Sequence, residues 1–447
     1  MIIKNKGELA TTALREQALE IIEVGIERLL PENIMKSALS YDPASKSLRV
    51  KDATYHVANG RIFVIGGGKA AGVMAEALEE ILGTENIFTG VVNCKSQNHR
   101  TKRIKVVGAG HPLPDKRGVN GIKQMLALKE KYSMNENDLV VCLLSGGGSA
   151  LMPCPVDCVS LSDKQRTTEL LLKCGADIHE INAVRKHLSK IKGGRLGEFY
   201  SPVKVVSLLI SDVIGDELDV IASGPTYPDS STFRDAYGIL EKYDLMPKTP
   251  QSIVAYLKRG CCGEVEETPK TLTNCDNHII GNNRLALEAM VNEAKKLGFI
   301  PYVVTDEQSG DTTAVAHIRA REIIEGKYQG YNAILLGGET TPKLPENAGK
   351  GGRNQHYAAV SMVAMKTYPG KWVVASVGTD GSDYLPDVAG AMVDNDTLYR
   401  ATARGIEVQA YIDRFDSNTL FRKIGKALII TGNTGTNVSD VMLYLLE

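Results

Sequence analysis

The sequence predicts an α/β protein made of two α/β domains, the N-terminal one a mainly parallel sheet with helices on both faces. Three observations carry this expectation. Apolar runs of strand length alternate with stretches of helical spacing, the pattern of parallel strands joined by crossover helices. Two of these runs stop abruptly in glycines: 61–65 meets Gly66, Gly67, Gly68 and Lys69, and 139–144 meets Ser145, Gly146, Gly147, Gly148 and Ser149. The chain has 447 residues, well beyond the roughly 150 of one ordinary domain.

Hydrophobic residues at 43% and charged residues at 23% allow a sizeable core. With 52 basic against 53 acidic residues, the net charge of −1 excludes the electrostatic footprint of a nucleic-acid or polybasic membrane binder and favours a small-molecule ligand. The eight cysteines form no Cys-x-x-Cys pair, which predicts reduced thiols and a cytoplasmic setting. Cys154, Cys158, Cys174 and His179 are too loosely spaced for a zinc site. No stretch approaches the roughly 20 apolar residues that span a bilayer, so no membrane anchor is expected.

In chain order, residues 8–30 carry apolar side chains at helical spacing with Pro31 just beyond, an amphipathic helix. Short strands are expected at 48–50 and 55–57. The Asn59-Gly60 turn leads into strand 61–65, and a helix follows over 73–82. Strands at 87–92, 105–107, 139–144 and 203–210 are interleaved with helices at 120–131 and 161–173. The pattern weakens into Pro, Gly, Lys and Glu around 247–275. This places an N-terminal domain at 1–245, a linker at 246–275 and a C-terminal domain at 276–447. Strands at 278–280, 302–305, 333–336, 372–377 and 427–430 and a helix at 284–297 fill the second domain.

Ligands of such sheets sit beyond the carboxyl ends of the strands. The polar groups fall there: 66–69, 145–149, and Ser211 and Asp212 followed by Gly215 and Asp216. Lys69 opens a helix behind three glycines, where backbone N–H groups and the helix dipole favour an anion. Neither the Walker phosphate loop nor the dinucleotide fingerprint is present, so the pattern predicts an anion site without naming the anion. After strand 372–377, Asp380, Asp383 and Asp387 crowd one loop and suit Mg²⁺; the glycine and glutamate of an EF-hand are missing. Glu339 and Thr340 follow Gly337-Gly338, and Arg353 on a glycine-flanked loop offers a planar fork for carboxylate or phosphate. Asn282 and Asn283 stand at a helix start, where capping is the simpler role and ligand binding the other. His111, before Pro112, suggests a rigid loop more than a base. Ser149 lacks the Gly-x-Ser-x-Gly surroundings of a hydrolase nucleophile.

Taken in order, Gly66-Gly-Gly-Lys-Ala-Ala71, Gly110-His-Pro-Leu-Pro114, Leu144-Ser-Gly-Gly-Gly-Ser-Ala150, Asn182-Ala-Val-Arg-Lys-His187, Lys192-Gly-Gly-Arg195, Ser211-Asp-Val-Ile-Gly-Asp216, Ala222-Ser-Gly-Pro-Thr226, Gly338-Glu-Thr-Thr341, Gly352-Arg-Asn-Gln355 and Gly378-Thr-Asp-Gly-Ser-Asp383 form a set. The set resembles the type 2 glycerate kinases, whose C-terminal region is the MOFRL domain, over nearly the whole chain. The resemblance implies ATP-dependent phosphorylation of D-glycerate with Mg²⁺, a Rossmann-like first domain, an active site in the cleft between two domains, and a homodimer. It puts Lys69 and Arg353 at the active site. Two places depart from the family pattern: the acidic loop, where Tyr384 and Leu385 replace smaller residues, and position 311, where Asp311 replaces a glutamate.

Phosphoryl transfer needs positioning and charge neutralisation. The expected roles are therefore Lys69, Arg353 and Asp212 in catalysis and Asp380 and Asp387 on the metal. Gly67, Gly68, Ser145, Gly146, Gly147, Gly148, Ser149, Asn282, Glu339, Thr340 and Asn354 are expected on ATP or substrate. Whether 2-phosphoglycerate or 3-phosphoglycerate forms stays open. The rival readings are a hydroxypyruvate or other 2-hydroxy-acid reductase, disfavoured by the missing dinucleotide fingerprint, and a non-catalytic phosphosugar-binding module.

Overall fold

A computed structural model describes residues 1–447 and divides the chain into two units. Ile34–Ile280 forms one, here the inserted unit; Met1–Asn33 and Gly281–Glu447 form the other, the discontinuous unit.

The inserted unit begins with a small antiparallel sheet of β1 (Leu39–Asp42), β2 (Ser47–Val50) and β3 (Ala53–His56). Its main sheet contains β4 (Ile62–Gly67), β5 (Ile87–Cys94), β6 (Ile104–Gly108), β7 (Leu139–Ser145), β8 (Lys204–Ile210) and β9 (Cys275–Gly281), in the spatial order β6-β5-β4-β7-β8-β9. The pairings β5–β6, β4–β5, β4–β7 and β7–β8 are all parallel. Every residue of β4 and β7 is buried, as expected of strands covered on both faces. Strand order runs outward in both directions from the β4/β7 pair, so the topological switch point lies between these two strands. Asn93 on β5 donates to the carbonyls of Gly118 (2.9 Å) and Leu151 (2.7 Å), tying the helix Lys116–Lys131 and the turn after β7 to the sheet.

The segment expected to be a linker is folded. Residues Gln251–Cys261 form a helix whose Ile253, Tyr256 and Leu257, spaced i, i+3, i+4, join a core with Ile181, Phe233 and Leu240. Its outward positions are polar, and that composition hid the apolar stripe. The boundary therefore falls after β9 has begun, at Ile280, and not within 246–275.

The discontinuous unit is built on β10 (Pro301–Gln308), β11 (Ala333–Gly338), β12 (Trp372–Gly378), β13 (Gly390–Asp394), β14 (Leu428–Ile429) and β15 (Asp440–Leu446), ordered β10-β11-β15-β12-β13-β14. Only β10–β11 is parallel; the other pairings are antiparallel. Residues 1–33 belong to this unit, which corrects the assignment of 1–245 to a single domain. The expected helix 8–30 breaks into Lys6–Leu9 and Ala13–Arg28, where Thr12 caps the second piece by accepting from Arg15 N. Gly25 faces Met290 of the helix Asn283–Lys296 so closely that a Cβ would stand 2.9 Å from Sδ. Arg15 is fully buried; it pairs with Asp394 at 3.1 Å and donates to Leu9 O (2.7 Å) and Lys426 O (2.6 Å). No helix in the chain is long and apolar enough to cross a membrane.

Candidate active site

The carboxyl ends of β4, β7 and β8 bring three of the expected stretches together. Lys69 N donates to Gly146 O at 2.8 Å, and Ala70 N donates to the buried Ser145 Oγ at 3.0 Å, so the two glycine turns are stitched to each other. Gly147 has a φ of +78°, and a Cβ there would stand 2.9 Å from the His111 ring and 3.2 Å from Lys69 Cγ. Only glycine meets both demands, the left-handed backbone and the close approach. A Cβ on Gly146 would overlap the Asp212 carboxylate, and one on Gly68 would overlap Ser145 Oγ. The glycines of 66–68 and 146–148 thus allow Lys69, Asp212 and His111 to close around one short loop.

The electrostatics follow from that crowding. Burial raises the proton affinity of Asp212, and the nearby positive charge of Lys69 works against the rise. Burial, assisted by Lys69 and Lys95, lowers His111 to about 4, so its imidazole is neutral at physiological pH. Sequence reasoning gave His111 only a rigid-loop role; its place against Gly147 is set by the fold. Ser149 closes the loop's far end through a hydrogen bond to Ser223 (2.8 Å).

In the discontinuous unit, Arg353 starts the helix Arg353–Ala364 after the extended Gly352. Its fork grips Asp440, with Nε to Oδ2 at 2.6 Å and Nη2 to Oδ1 at 3.0 Å, and Nη1 reaches Glu339 at 2.8 Å. These two carboxylates hold the guanidinium firmly charged against the cost of its burial. Asp440, at the start of β15, is fully buried and was not anticipated. Asn283 Nδ2 donates to Asp440 O and Val438 O, both at 2.9 Å, and so fixes the backbone that carries it.

The family profile described as "Domain of unknown function (DUF4147)" matches residues 17–258, and the MOFRL family profile matches 332–440. The chain is 40% identical to the glycerate 2-kinase of Pyrococcus horikoshii over 442 residues, covering 96% of this chain and 98% of the relative. The crystal structure of glycerate kinase from Thermotoga maritima superposes with a TM-score of 0.85 at 38% identity, covering 97% of this chain and 99% of that one. The chain belongs to the type 2 glycerate kinases of the MOFRL family. A protein of Agrobacterium vitis named putative hydroxypyruvate reductase is also similar, at 37% identity over 399 residues, covering 87% of each chain.

Against the glycerate kinase expectation, the remaining predicted residues divide by how their polar atoms are used. Asn354 is 1% exposed; its Oδ1 accepts from Ser376 Oγ at 2.5 Å and its Nδ2 donates to Asp383 Oδ1 at 3.3 Å. Thr340, also buried, accepts from Thr312 at 3.0 Å. Both are occupied within the MOFRL fold. Asn282 caps the helix Asn283–Lys296 by accepting from Leu285 N. Asp383 accepts from the backbone N–H of Asn354 (3.0 Å) and of Gln355 (2.8 Å), anchoring the helix that carries Arg353.

The aspartates expected on Mg²⁺ are not gathered into a preformed site. Asp380 Oδ1 accepts from Ser382 N (2.8 Å) and Oγ (3.0 Å), and the exposed Asp387 pairs with Arg422 at 3.0 Å. No three His, Cys, Asp or Glu side chains stand together as a metal-holding group.

Proposed function

We propose that the protein phosphorylates D-glycerate with ATP, giving 2-phosphoglycerate. The observation that carries the reading is the gathering, at the β4/β7 switch point, of Lys69 and the half-buried Asp212 against one glycine loop, at Gly147 and Gly146. Two names support the regiochemistry, since the relatives from P. horikoshii and T. maritima are called glycerate 2-kinase and D-glycerate 2-kinase.

In this reading the glycine turns take the phosphates on their N–H groups. Asp212 accepts the proton of the substrate hydroxyl as its oxygen attacks the γ-phosphorus, and a carboxylate with raised proton affinity suits that task. The Lys69 ammonium stabilises charge on the transferred group and keeps Asp212 ionised until the proton arrives. In the discontinuous unit, Asp440 and Glu339 preset the charge of Arg353, a cation suited to a carboxylate or phosphate.

The test couples ADP release to phosphorus NMR of the product with D-glycerate and ATP. The expected product is 2-phosphoglycerate, with Lys69→Met and Asp212→Asn each lowering kcat by about 10²–10³. Near-normal turnover in both variants removes the assignment. The reductase reading, favoured by the A. vitis relative's name, predicts NADH oxidation with hydroxypyruvate and no ADP.

A further inference from the structure

Asn182 and Arg185 stand three residues apart on the helix Ile178–His187, so their side chains share a face. That helix is wired to the glycine loop: Ser149 bonds Ser223 at 2.8 Å, and Ser223 donates to Asn182 Oδ1 at 3.0 Å. Asn182 is 2% exposed, yet its Nδ2 has no acceptor. Arg185 takes part in no ion pair, and burial alone acts on its guanidinium, lowering its proton affinity. Lys192, 1% exposed, donates to Ala222 O at 2.9 Å and has no carboxylate beside it. Lys164 likewise reaches only carbonyls, Leu188 O at 3.2 Å and Arg185 O at 3.4 Å. The adjacent Lys186 differs, being held by Asp219 (3.2 Å) and Asp229 (3.1 Å).

A largely desolvated guanidinium without a counter-ion and a buried amide donor without an acceptor are both costly, and one oxyanion would satisfy them together. The backbone adds a second mark. Ala222 and Ser223, which carry the contacts to Lys192 and Asn182, hold φ of +52° and +62°, conformations that non-glycine residues keep only where the surroundings impose them.

We propose that Asn182 and Arg185 form the subsite for the carboxylate of the acceptor hydroxy acid. The inference rests on the kinase reading above and names the group that selects its substrate. A carboxylate matches the planar fork of Arg185, and the relay through Ser223 reaches the loop at Ser149, whereas Lys69 meets it at Gly146. The glycine turns are left for the nucleotide's phosphates. An acceptor alcohol without a carboxylate, such as glycerol, would not be held.

The test uses the full chain, with D-glycerate binding by calorimetry, steady-state kinetics and thermal melts for the wild type, Arg185→Met, Arg185→Lys and Asn182→Ala. Arg185→Met should raise the KM for D-glycerate about 100-fold and leave the KM for ATP within about twofold. Arg185→Lys should recover only part of the loss, because an ammonium lacks the fork. The Tm of Arg185→Met should equal or exceed that of the wild type, since it removes an uncompensated, half-buried charge. An unchanged affinity for D-glycerate in both Arg185→Met and Asn182→Ala overturns the subsite. So does a rise in the ATP KM instead, which would make the anion a phosphate, or a lowered Tm with both KM values intact, which would make Arg185 structural. Failure of the kinase reading is separate: the wild type would then release no ADP from D-glycerate and ATP, whatever its calorimetric binding.

Discussion

Burial decides most of the single-residue chemistry in this protein, and Asp383 shows how. Its carboxylate accepts four hydrogen bonds from Asn354 and Gln355 that favour its charged form, yet loss of water outweighs them and holds its carboxyl up at about 6. The native state therefore binds a proton that the unfolded chain has released. The stabilisation from this group is complete below 3.8 and is lost as pH rises through about 6. The change is on the order of 3 kcal/mol. Asp383→Asn should thus be less pH-sensitive than the wild type between pH 4 and 7, as Tm measured in parallel would reveal; identical pH slopes would refute it. His356, lowered to about 4, contributes with the opposite sign, but equally in both proteins. Tyr384, one of the two departures from the family pattern in the acidic loop, is 90% exposed and has a φ of +63°. A small residue suits that backbone better, which is a physical reason for the family's preference. Asp311, the other departure, caps the helix Thr312–Ile324 by accepting from Ala314 N at 2.9 Å, a task glutamate performs less well.

Among the elements, the helix Ala13–Arg28 is held by Arg15 as well as by its apolar stripe. Replacing Arg15 with Met would strand Asp394, which is 4% exposed and also caps the helix Asn395–Ala403. The expected loss is about 3–5 kcal/mol, read as a lower urea midpoint, with the double variant Arg15→Met/Asp394→Asn recovering most of it. Equal stability of the single variant and the wild type would refute that. Helix type at 13–28 was legible, because its period is local. Its partner was not, because nothing in 1–33 points to residues beyond 281. The glycine turns at 66–68 and 146–148 were legible for the same local reason, and so were Lys69 and Asp212 beside them. His111, Asp440 and the Asn182–Arg185 face were not assigned as site residues. Their significance comes from which loop, carbonyl or orphaned donor they meet, and no spacing encodes that. Asn354 and Thr340, read as ligands because they are polar residues beside glycines, each also meet a buried partner of the fold, Ser376 and Thr312.

For the molecule as a whole, the unit boundaries predict which fragments fold. A fragment of residues 34–280 retains all of the main parallel sheet except Gly281, together with the core around Phe233 and Ile253, and should unfold cooperatively on its own. A fragment of 1–245, the boundary suggested by composition, loses β9 and the helix Gln251–Cys261 while keeping a helix whose partners are missing, and should be less stable and prone to aggregate. Thermal melts and light scattering compare the two; equal behaviour would count against this division of the chain. The reason the boundary was misplaced is that composition marks a change of surface, whereas the boundary is set by which core a side chain enters.

The position of β15 has a consequence for synthesis. It lies between β11 and β12, yet it is translated after every other strand of its sheet. The helix 13–28 leaves the ribosome before every strand of its own unit and must wait, at about 5–20 residues per second, through production of the whole inserted unit and nearly all of its own. During those tens of seconds its apolar face has no permanent partner, and β11 and β12 have open edges facing a gap. A nascent chain stalled before 440 would thus carry one finished unit and one that cannot close, a state that chaperones and proteases distinguish by exposed strand edges and apolar surface.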